Sequence, residues 1–375
     1  MASADSHTVI PRRSALSRMV RAITSPYYRY RHAKVLHSLR VGLAMLVSIL
    51  ATTGIDIPHG IWSSVTLLVV IGGLQHHGNI RKKAAERAAG TLLGATIGLA
   101  LILVQNFTGS LPVTYVLMSI VAAICAWFAI GSSGYIGLLT AITMCIVAGH
   151  GDNLIDVGLW RTLNVLIGIV IALAFSFALP LHATYSWRYG IATNLRECAR
   201  IYTRLIGGET ISEEEQVQHF LAINKRLVQM RALMPSVAKE IDVPQSRLDE
   251  IQRLHRSSVL SSLELLATGP LMHADAVARA AYGAQCGAEV HAVRATLLAI
   301  SRGLRFGRAT HFGIPAASPL AQAHGDAALR LPADLQGPYW LGQRLAEQVD
   351  RLRALLLETE PNWNIERHSR TLLKV

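Results

Sequence analysis

Residues 88–104 read AAGTLLGATIGLALILV, and no Asp, Glu, Lys or Arg follows them until Asp152. A bilayer core of about 30 Å is crossed by roughly 20 apolar residues in a helix, and a charge left in it is costly. The charge-free stretch is therefore read as membrane-embedded. Working outward, further apolar runs cover about Leu36 to Ile55, Ile61 to Gln75, Pro112 to Ile130, Tyr135 to Ala148, and about Leu159 to Leu179. Together with 88–104 they predict six spans. After Arg188 charges of both signs return, and helical periodicity predicts segments over Ala183–Ile206, Ser212–Met234, Gln245–Ala267, Met272–Leu304 and Leu335–Glu358. Ser212-Glu213-Glu214-Glu215 reads as a capping box, and 306–332 as a Gly/Pro/Ala-rich loop.

The expected fold is all-α: a six-span transmembrane helix bundle followed by a C-terminal cytoplasmic helical bundle. The expected divisions are a basic arm over 1–34, a membrane domain over 35–182 and a cytoplasmic helical domain over 183–375. Composition agrees, with 51% hydrophobic and only 16% charged residues, against about a quarter charged in ordinary soluble proteins.

Charge also sets the orientation. The first 55 residues carry eight Lys/Arg (Arg12, Arg13, Arg18, Arg21, Arg29, Arg31, Lys34, Arg40) against Asp5 alone. A basic arm directly before an apolar span reads as a cytoplasmic flank facing anionic lipid, rather than a nucleic-acid arm. Arg81, Lys82, Lys83, Arg87 and Arg188 fall on the same side, leaving Arg161 on the other. Both termini are then cytoplasmic. Cys125, Cys145, Cys198 and Cys286 form no close pair, so no disulfide framework is expected.

A shift of 74 residues aligns 61–104 with 135–178 without gaps. Thr66 meets Thr140, His76 meets His150, Asn79 meets Asn153, Arg87 meets Arg161, and Gly94 meets Gly168. The unit is three spans, so its two copies would lie in opposite orientations, as in secondary transporters whose sites sit between the repeats. Gly90, Gly94, Gly98 and Gly168 are small residues that let helices approach closely.

Several residues are candidates for a substrate path. Arg87 and Arg161, placed at helix starts, read either as snorkelling anchors or as two positive collars for anions. Arg81, Lys82 and Lys83 read as a positive-inside anchor or an inner basic funnel. Trp62 reads as an interfacial tryptophan or a stacking surface for an aromatic substrate. Thr66 and Thr140 offer hydroxyls to a carboxylate or to their own backbone. His76, His77 and His150 lack an acidic or cysteine partner at metal-ligand spacing, which leaves proton handling by His76 or His150 as the better reading. Asp56, Glu86, Asp152 and Asp156 all fall in loops or at span ends. There is no G-x-x-x-x-G-K-[ST], G-x-S-x-G or H-E-x-x-H. No catalytic residue, cofactor or metal is expected, and the chain is not read as an enzyme.

The run Pro58-His59-Gly60-Ile61-Trp62-Ser63-Ser64-Val65-Thr66, with Arg87-Ala88-Ala89-Gly90-Thr91-Leu92-Leu93-Gly94-Ala95 after a basic loop, resembles the fusaric acid resistance family of membrane proteins. That family includes bacterial aromatic carboxylic acid exporters, and the plant aluminium-activated malate channels look like distant relatives. The similarity spans roughly 35–185. It implies export or conduction of organic anions, often aromatic acids, and dimers. Long members carry two copies of the span-plus-domain unit, so a homodimer is the natural expectation for this single copy. Bacterial exporters of the family work with a periplasmic adaptor; no adaptor-like segment occurs here, and that partnership stays open. The family pattern falls on Trp62, Thr66, Arg87, Gly90, Thr91 and Gly94. The competing reading is a membrane-anchored scaffold or sensor acting through its C-terminal helices. Channel and proton-coupled transporter are equally open.

Overall fold

The computed structural model describes residues 26–72, 77–131, 134–149, 154–178, 180–207, 212–312 and 331–365. Most of the basic arm, His76, His150 and much of the 306–332 loop lie outside the described residues. The described elements are all helical. The first half comprises α1 (Pro26–Arg31), α2 (Ala33–Gly54), α3 (Ile61–Ile71), α4 (His77–Thr108), α5 (Leu111–Ala129), α6 (Gly134–Ala148) and α7 (Ile155–Ala178). Four of these, α2, α4 from Lys82, α5 and α7, are long and apolar enough to cross a membrane. The other two apolar helices are short: α3 has 11 residues and α6 has 15, which at 1.5 Å per residue gives about 17 and 22 Å.

Two boundaries near the middle of the apolar half differ from the sequence reading in a way that bears on Arg87. The second run ends as helix at Ile71, not Gln75. Helix α4 begins at His77, well before Ala88, so the basic stretch is helix rather than loop. The reason is local: Lys82 and Glu86 pair at i,i+4 with 3.5 Å between charges, and Ala84, Ala85, Ala88 and Ala89 favour helix. Arg87 and Arg161 are therefore not at helix starts; they lie ten and six residues inside α4 and α7.

The helices run up and down between two ends. Asn164 Nδ2 of α7 donates to the Pro58 carbonyl at 2.8 Å, which puts the start of α7 beside the α2–α3 turn. His37 Nε2 of α2 donates to the Gly72 carbonyl at 3.2 Å, which puts the start of α2 beside the end of α3. Helices α3 and α6 thus run in opposite senses.

The two copies of the repeat exchange partners. Helix α4 packs along α6, and α3 along α7. A Cβ at Gly94 would come within 2.5 Å of the Thr140 carbonyl and 2.7 Å of Thr143 Cβ. A Cβ at Gly168 would overlap the Ser63 carbonyl and reach 3.0 Å from Thr66 Cβ. Gly94 and Gly168 correspond under the 74-residue shift, as do Thr66 and Thr140. Each copy's glycine seats the other copy's threonine helix. Gly90 and Gly98 extend the same seam against Leu139 and Val147.

The C-terminal helices are α8 (Ala183–Ile206), α9 (Glu213–Ile241), α10 (Gln245–Arg253), α11 (Ser261–Thr268), α12 (Pro270–His273), α13 (Ala276–Phe306), α14 (Ala333–Glu358) and α15 (Glu360–Trp363). A π-helical stretch, Leu254–Leu260, joins α10 to α11. Ser212 Oγ caps α9 by accepting from the Glu215 amide at 3.2 Å, as the capping box predicts. Helix α9 continues through Pro235 to Ile241, beyond the expected end at Met234, and stops where Asp242 turns left-handed at φ 51°. Trp187, Leu195, Tyr202, Ile223, Leu227, Leu297, Leu352 and Trp363 belong to one core shared by α8, α9, α13, α14 and α15.

Two outcomes follow from this packing. Gly94→Val and Gly168→Val each force a side chain into backbone, so each should cost about 1–3 kcal/mol. A thermal unfolding shift in detergent checks this, and Gly42→Val, which meets open space, is the control. In the C-terminal core, His255 is fully buried, and that burial, aided by Arg226, pushes its pKa down to about 4. The unfolded chain binds this proton from about pH 6.5 downward. Stability should therefore fall between about pH 6.5 and 4 and level off below, and His255→Leu should remove that component of a pH-resolved melting series.

Candidate functional site

The candidate site is built where α3, α4 and α6 meet. Arg87 is 2% exposed, and its Nη2 donates to Thr66 Oγ1 of α3 at 3.4 Å. Among the described residues no carboxylate pairs with it, and its Nε makes no hydrogen bond. Thr91 Oγ1, one turn along α4, is buried without a partner, as are Thr143 Oγ1 and Tyr135 Oη of α6. The Lys83 ammonium lies 5.9 Å over the Tyr135 ring, and Arg87 is an electrostatic neighbour of the same phenol. Buried polar atoms are nearly always paired, and unpaired ones call for an explanation. Here Arg87 Nε and the hydroxyls of Thr91, Thr143 and Tyr135 are unpartnered among the described residues.

A second buried cation, Arg40, lies just past the basic arm, beside a neutral histidine. Arg40 is fully buried in α2, and its Nη2 donates to His37 Nδ1 at 2.9 Å. With Nδ1 accepting and Nε2 donating to the Gly72 carbonyl, the His37 ring is held as the neutral Nε2–H tautomer. In sequence Arg40 reads as one of the flanking basic residues, because Arg29, Arg31 and Lys34 precede it. The buried positions His37, Arg40, Ala44, Ser48 and Thr52 recur at spacings of three and four, and that polar stripe is the signal that separates Arg40 from the arm. Ser48 Oγ, on the same stripe, lies 3.0 and 3.1 Å from Ser63 Oγ and Ser64 Oγ, joining α2 to α3.

Arg161 lies apart from Arg87, toward the opposite end of the helices. Its Nη1 donates to the Ile146 carbonyl near the end of α6, and its Nε is unpartnered. Thr140 Oγ1 donates back to the Ile136 carbonyl at 2.9 Å. Trp62 is half-buried and packs against the core of α2, α3 and α7, beside residues such as Val165 and Ile169. Lys82 is largely exposed and paired with Glu86. The side chain of Arg81 lies outside the described residues. Thr66, Lys83 and Arg87 are thus brought together, while Trp62, Thr140 and Arg161 occupy other parts of the apolar half.

With this geometry in place the chain can be set against known proteins. The profile of the fusaric acid resistance protein family matches residues 34–367. This chain belongs to that family. Inner membrane protein YeeA of Escherichia coli (strain K12) is 34% identical over 230 residues, which make up 61% of this chain and 65% of that relative. The match thus spans a little under two thirds of YeeA. As a membrane protein of the fusaric acid resistance family, the chain places five of the six pattern residues, Thr66, Arg87, Gly90, Thr91 and Gly94, on one stretch of the α3–α4–α6 contact. Gly90 and Gly94 bring α6 against α4, and this closeness encloses Arg87 and Thr91.

A lone buried guanidinium lowers stability, because desolvation is not offset by a counter-charge. Replacing Arg87 by Met should therefore leave the melting temperature unchanged or raise it, with a gain of up to about 1–4 kcal/mol by analogy with other buried-charge replacements. Thermal unfolding of purified Arg87→Met beside the unsubstituted protein checks the sign.

Proposed function

We propose that the protein moves organic anions, aromatic carboxylates first among them, across a bacterial inner membrane along a path that passes Arg87. The single observation that carries this reading is the buried Arg87 guanidinium, which donates to the Thr66 hydroxyl and has no carboxylate partner among the described residues. A structural arginine would be expected to hold a fixed acid. One that binds a transient anion is left open until the anion arrives.

The path reading takes the six apolar helices as six crossings, with α3 and α6 as the short members of two inverted three-span repeats. Unusually short apolar segments at corresponding positions of two halves are a pointer to a transport site. The reciprocal Gly94–Thr140 and Gly168–Thr66 contacts support the same reading. Arg161 then forms the collar of the second copy, near the outer face, and Arg87 that of the first, near the inner face. The positive-inside balance places both termini and the C-terminal helices in the cytoplasm. The similarity to an inner membrane protein supports the same compartment. In this reading the protein works as a homodimer, with a periplasmic adaptor as a further partner. Helix α5, whose apolar residues Val116, Ile120, Ile124 and Trp127 are exposed, supplies the surface that meets lipid or the second copy.

Reconstitution tests the proposal. Proteoliposomes loaded with a panel of aromatic and aliphatic carboxylates should release some of them, with or without a proton gradient. Arg87→Gln and Arg161→Gln should each cut that efflux by about tenfold or more, the scale of one charge-assisted hydrogen bond, with helicity and melting retained. Undiminished flux in both variants removes the collars. A complete absence of anion movement under every gradient would favour a scaffold acting through the C-terminal helices.

A further inference from the structure

Away from the apolar half, the C-terminal helices carry a second cationic site. A cleft of about 380 Å³ opens between α9 and α10, lined by Arg231, Gln245, Asp249, Gln252, Arg253, Arg256 and Ser257. Its arginines differ from those around it. On the neighbouring surface Arg247 pairs with Glu250 at 3.2 Å and Glu358 at 3.1 Å, Arg351 with Glu250 at 3.3 Å, and Arg353 with Asp350 at 3.4 Å. Arg231, Arg253 and Arg256 make no ion pair with any described residue. Asp249 and Arg253 stand at i,i+4 with the acid first, the arrangement that ordinarily closes a pair on a helix, yet they do not pair.

The local backbone and the buried polar atoms set this cleft apart from an ordinary charged surface. The π-helical stretch Leu254–Leu260 begins directly after Arg253 and holds Arg256 and Ser257; such stretches are frequent at functional sites. Gln252 anchors its amide on the Leu227 carbonyl at 3.4 Å and leaves Oε1 buried without a donor. His255, between the two arginines, is buried with both ring nitrogens unpartnered. It stays neutral near pH 7, because burial takes its pKa to about 4. The cleft's charge therefore comes from three guanidinium groups against one carboxylate, a balance of two positive charges. Gln252 Oε1 and Asp249 add acceptors at the same place.

We propose that this cleft binds a small dianionic oxyanion, a phosphate monoester or its equivalent, clamped by Arg231, Arg253 and Arg256. A hydroxyl or amino group on the ligand would meet Gln252 Oε1 and Asp249. Guanidinium forks match the oxygen spacing of phosphate, and charge-assisted hydrogen bonds of this type are the strong ones. The phosphate has two sources. It can be free in solution, or it can be a lipid headgroup, because the preceding segment reaches the apolar half: Glu240, five residues before Gln245, accepts from the amides of Ala183 and Thr184 just past the end of α7.

The test uses the full chain in nanodiscs made of phosphatidylcholine alone or with phosphatidic acid, whose headgroup is a phosphomonoester, titrated calorimetrically with inorganic phosphate. In phosphatidylcholine, saturable one-site binding is expected. It should weaken about tenfold or more in Arg253→Gln and in Arg256→Gln. It should stay unchanged in Arg247→Gln and Arg351→Gln, whose charges already have carboxylate partners. Melting curves of all four variants separate lost binding from lost folding. If phosphatidic acid abolishes phosphate binding to the unsubstituted protein, the clamp is a headgroup site; if binding persists, it is a site for a soluble phosphate. No saturable binding in either nanodisc overturns the proposal, and so does equal weakening in all four folded variants. Neither result bears on efflux through the Arg87 path, which is read separately.

Discussion

The architecture depends on how closely α4 approaches α6, and α3 approaches α7. At Gly94 and Gly168 the facing backbone sits where a side chain would be, so the helix surfaces touch main chain to main chain. In an apolar solvent, helices have no hydrophobic reason to associate, and close van der Waals packing at small residues takes its place. This seam also positions the short helices. Neither α3 nor α6 is long, and each is held along its length by a longer neighbour from the other copy of the repeat. Their threonines face glycine rather than a bulky residue, and this leaves room for the polar side chains one turn away.

That closeness explains how Arg87 comes to be enclosed. Its helix is drawn against α6 by Gly90 and Gly94, and the guanidinium, 2% exposed, meets Thr66 of α3 rather than lying at a surface. A charge so placed is unfavourable for folding unless something else selects it. Among the described residues no acid shares this layer with Arg87, so the guanidinium is not one half of a structural ion pair.

Much of this was legible in the sequence. The charge-free run from Ala88 to Gly151 marks apolar helices on solvation grounds alone, and the 74-residue correspondence matches Gly94 with Gly168 and Thr66 with Thr140, the residues that the fold sets crosswise, each glycine against the other segment's threonine. The misreadings have local causes. Arg81 to Arg87 looks like a loop when charge is taken as a sign of solvent, but a Lys–Glu pair and four alanines make it helix. Arg40 looks like part of the arm until its spacing from Ala44 and Ser48 is noticed. The unpaired hydroxyls of Thr91, Thr143 and Tyr135 could not be read in advance, because satisfaction of a polar atom depends on neighbours that are distant in sequence. The arginine cleft on α10 was equally invisible, since Arg253 and Arg256 resemble every other charge on an amphipathic helix until their partners are counted.

The two halves of the chain are joined at more than one point, and the chemistry of the joints is stiff. The Glu240 carboxylate accepts from the Ala183 amide at 2.9 Å, the Thr184 amide at 2.9 Å and the Thr184 hydroxyl at 2.8 Å, capping α8 as it leaves the apolar half. One turn on, the Arg188 guanidinium lies 5.3, 5.2 and 5.6 Å from the rings of Tyr185, Tyr189 and Trp363, which ties α8 to the C-terminal end of the core. The other connection is through α1: Tyr27 and Tyr30 pack on Tyr189, and Arg305 of α13 stacks over Tyr27 at 4.4 Å. The segment before α2 and the segment after α7 therefore meet on the same helix, α8. Displacing either apolar helix at this end must strain the Tyr189 contacts or carry α8 with it. The helix that carries Arg40 and His37 is in this way linked to the C-terminal core through the aromatic contacts of α1 and α8.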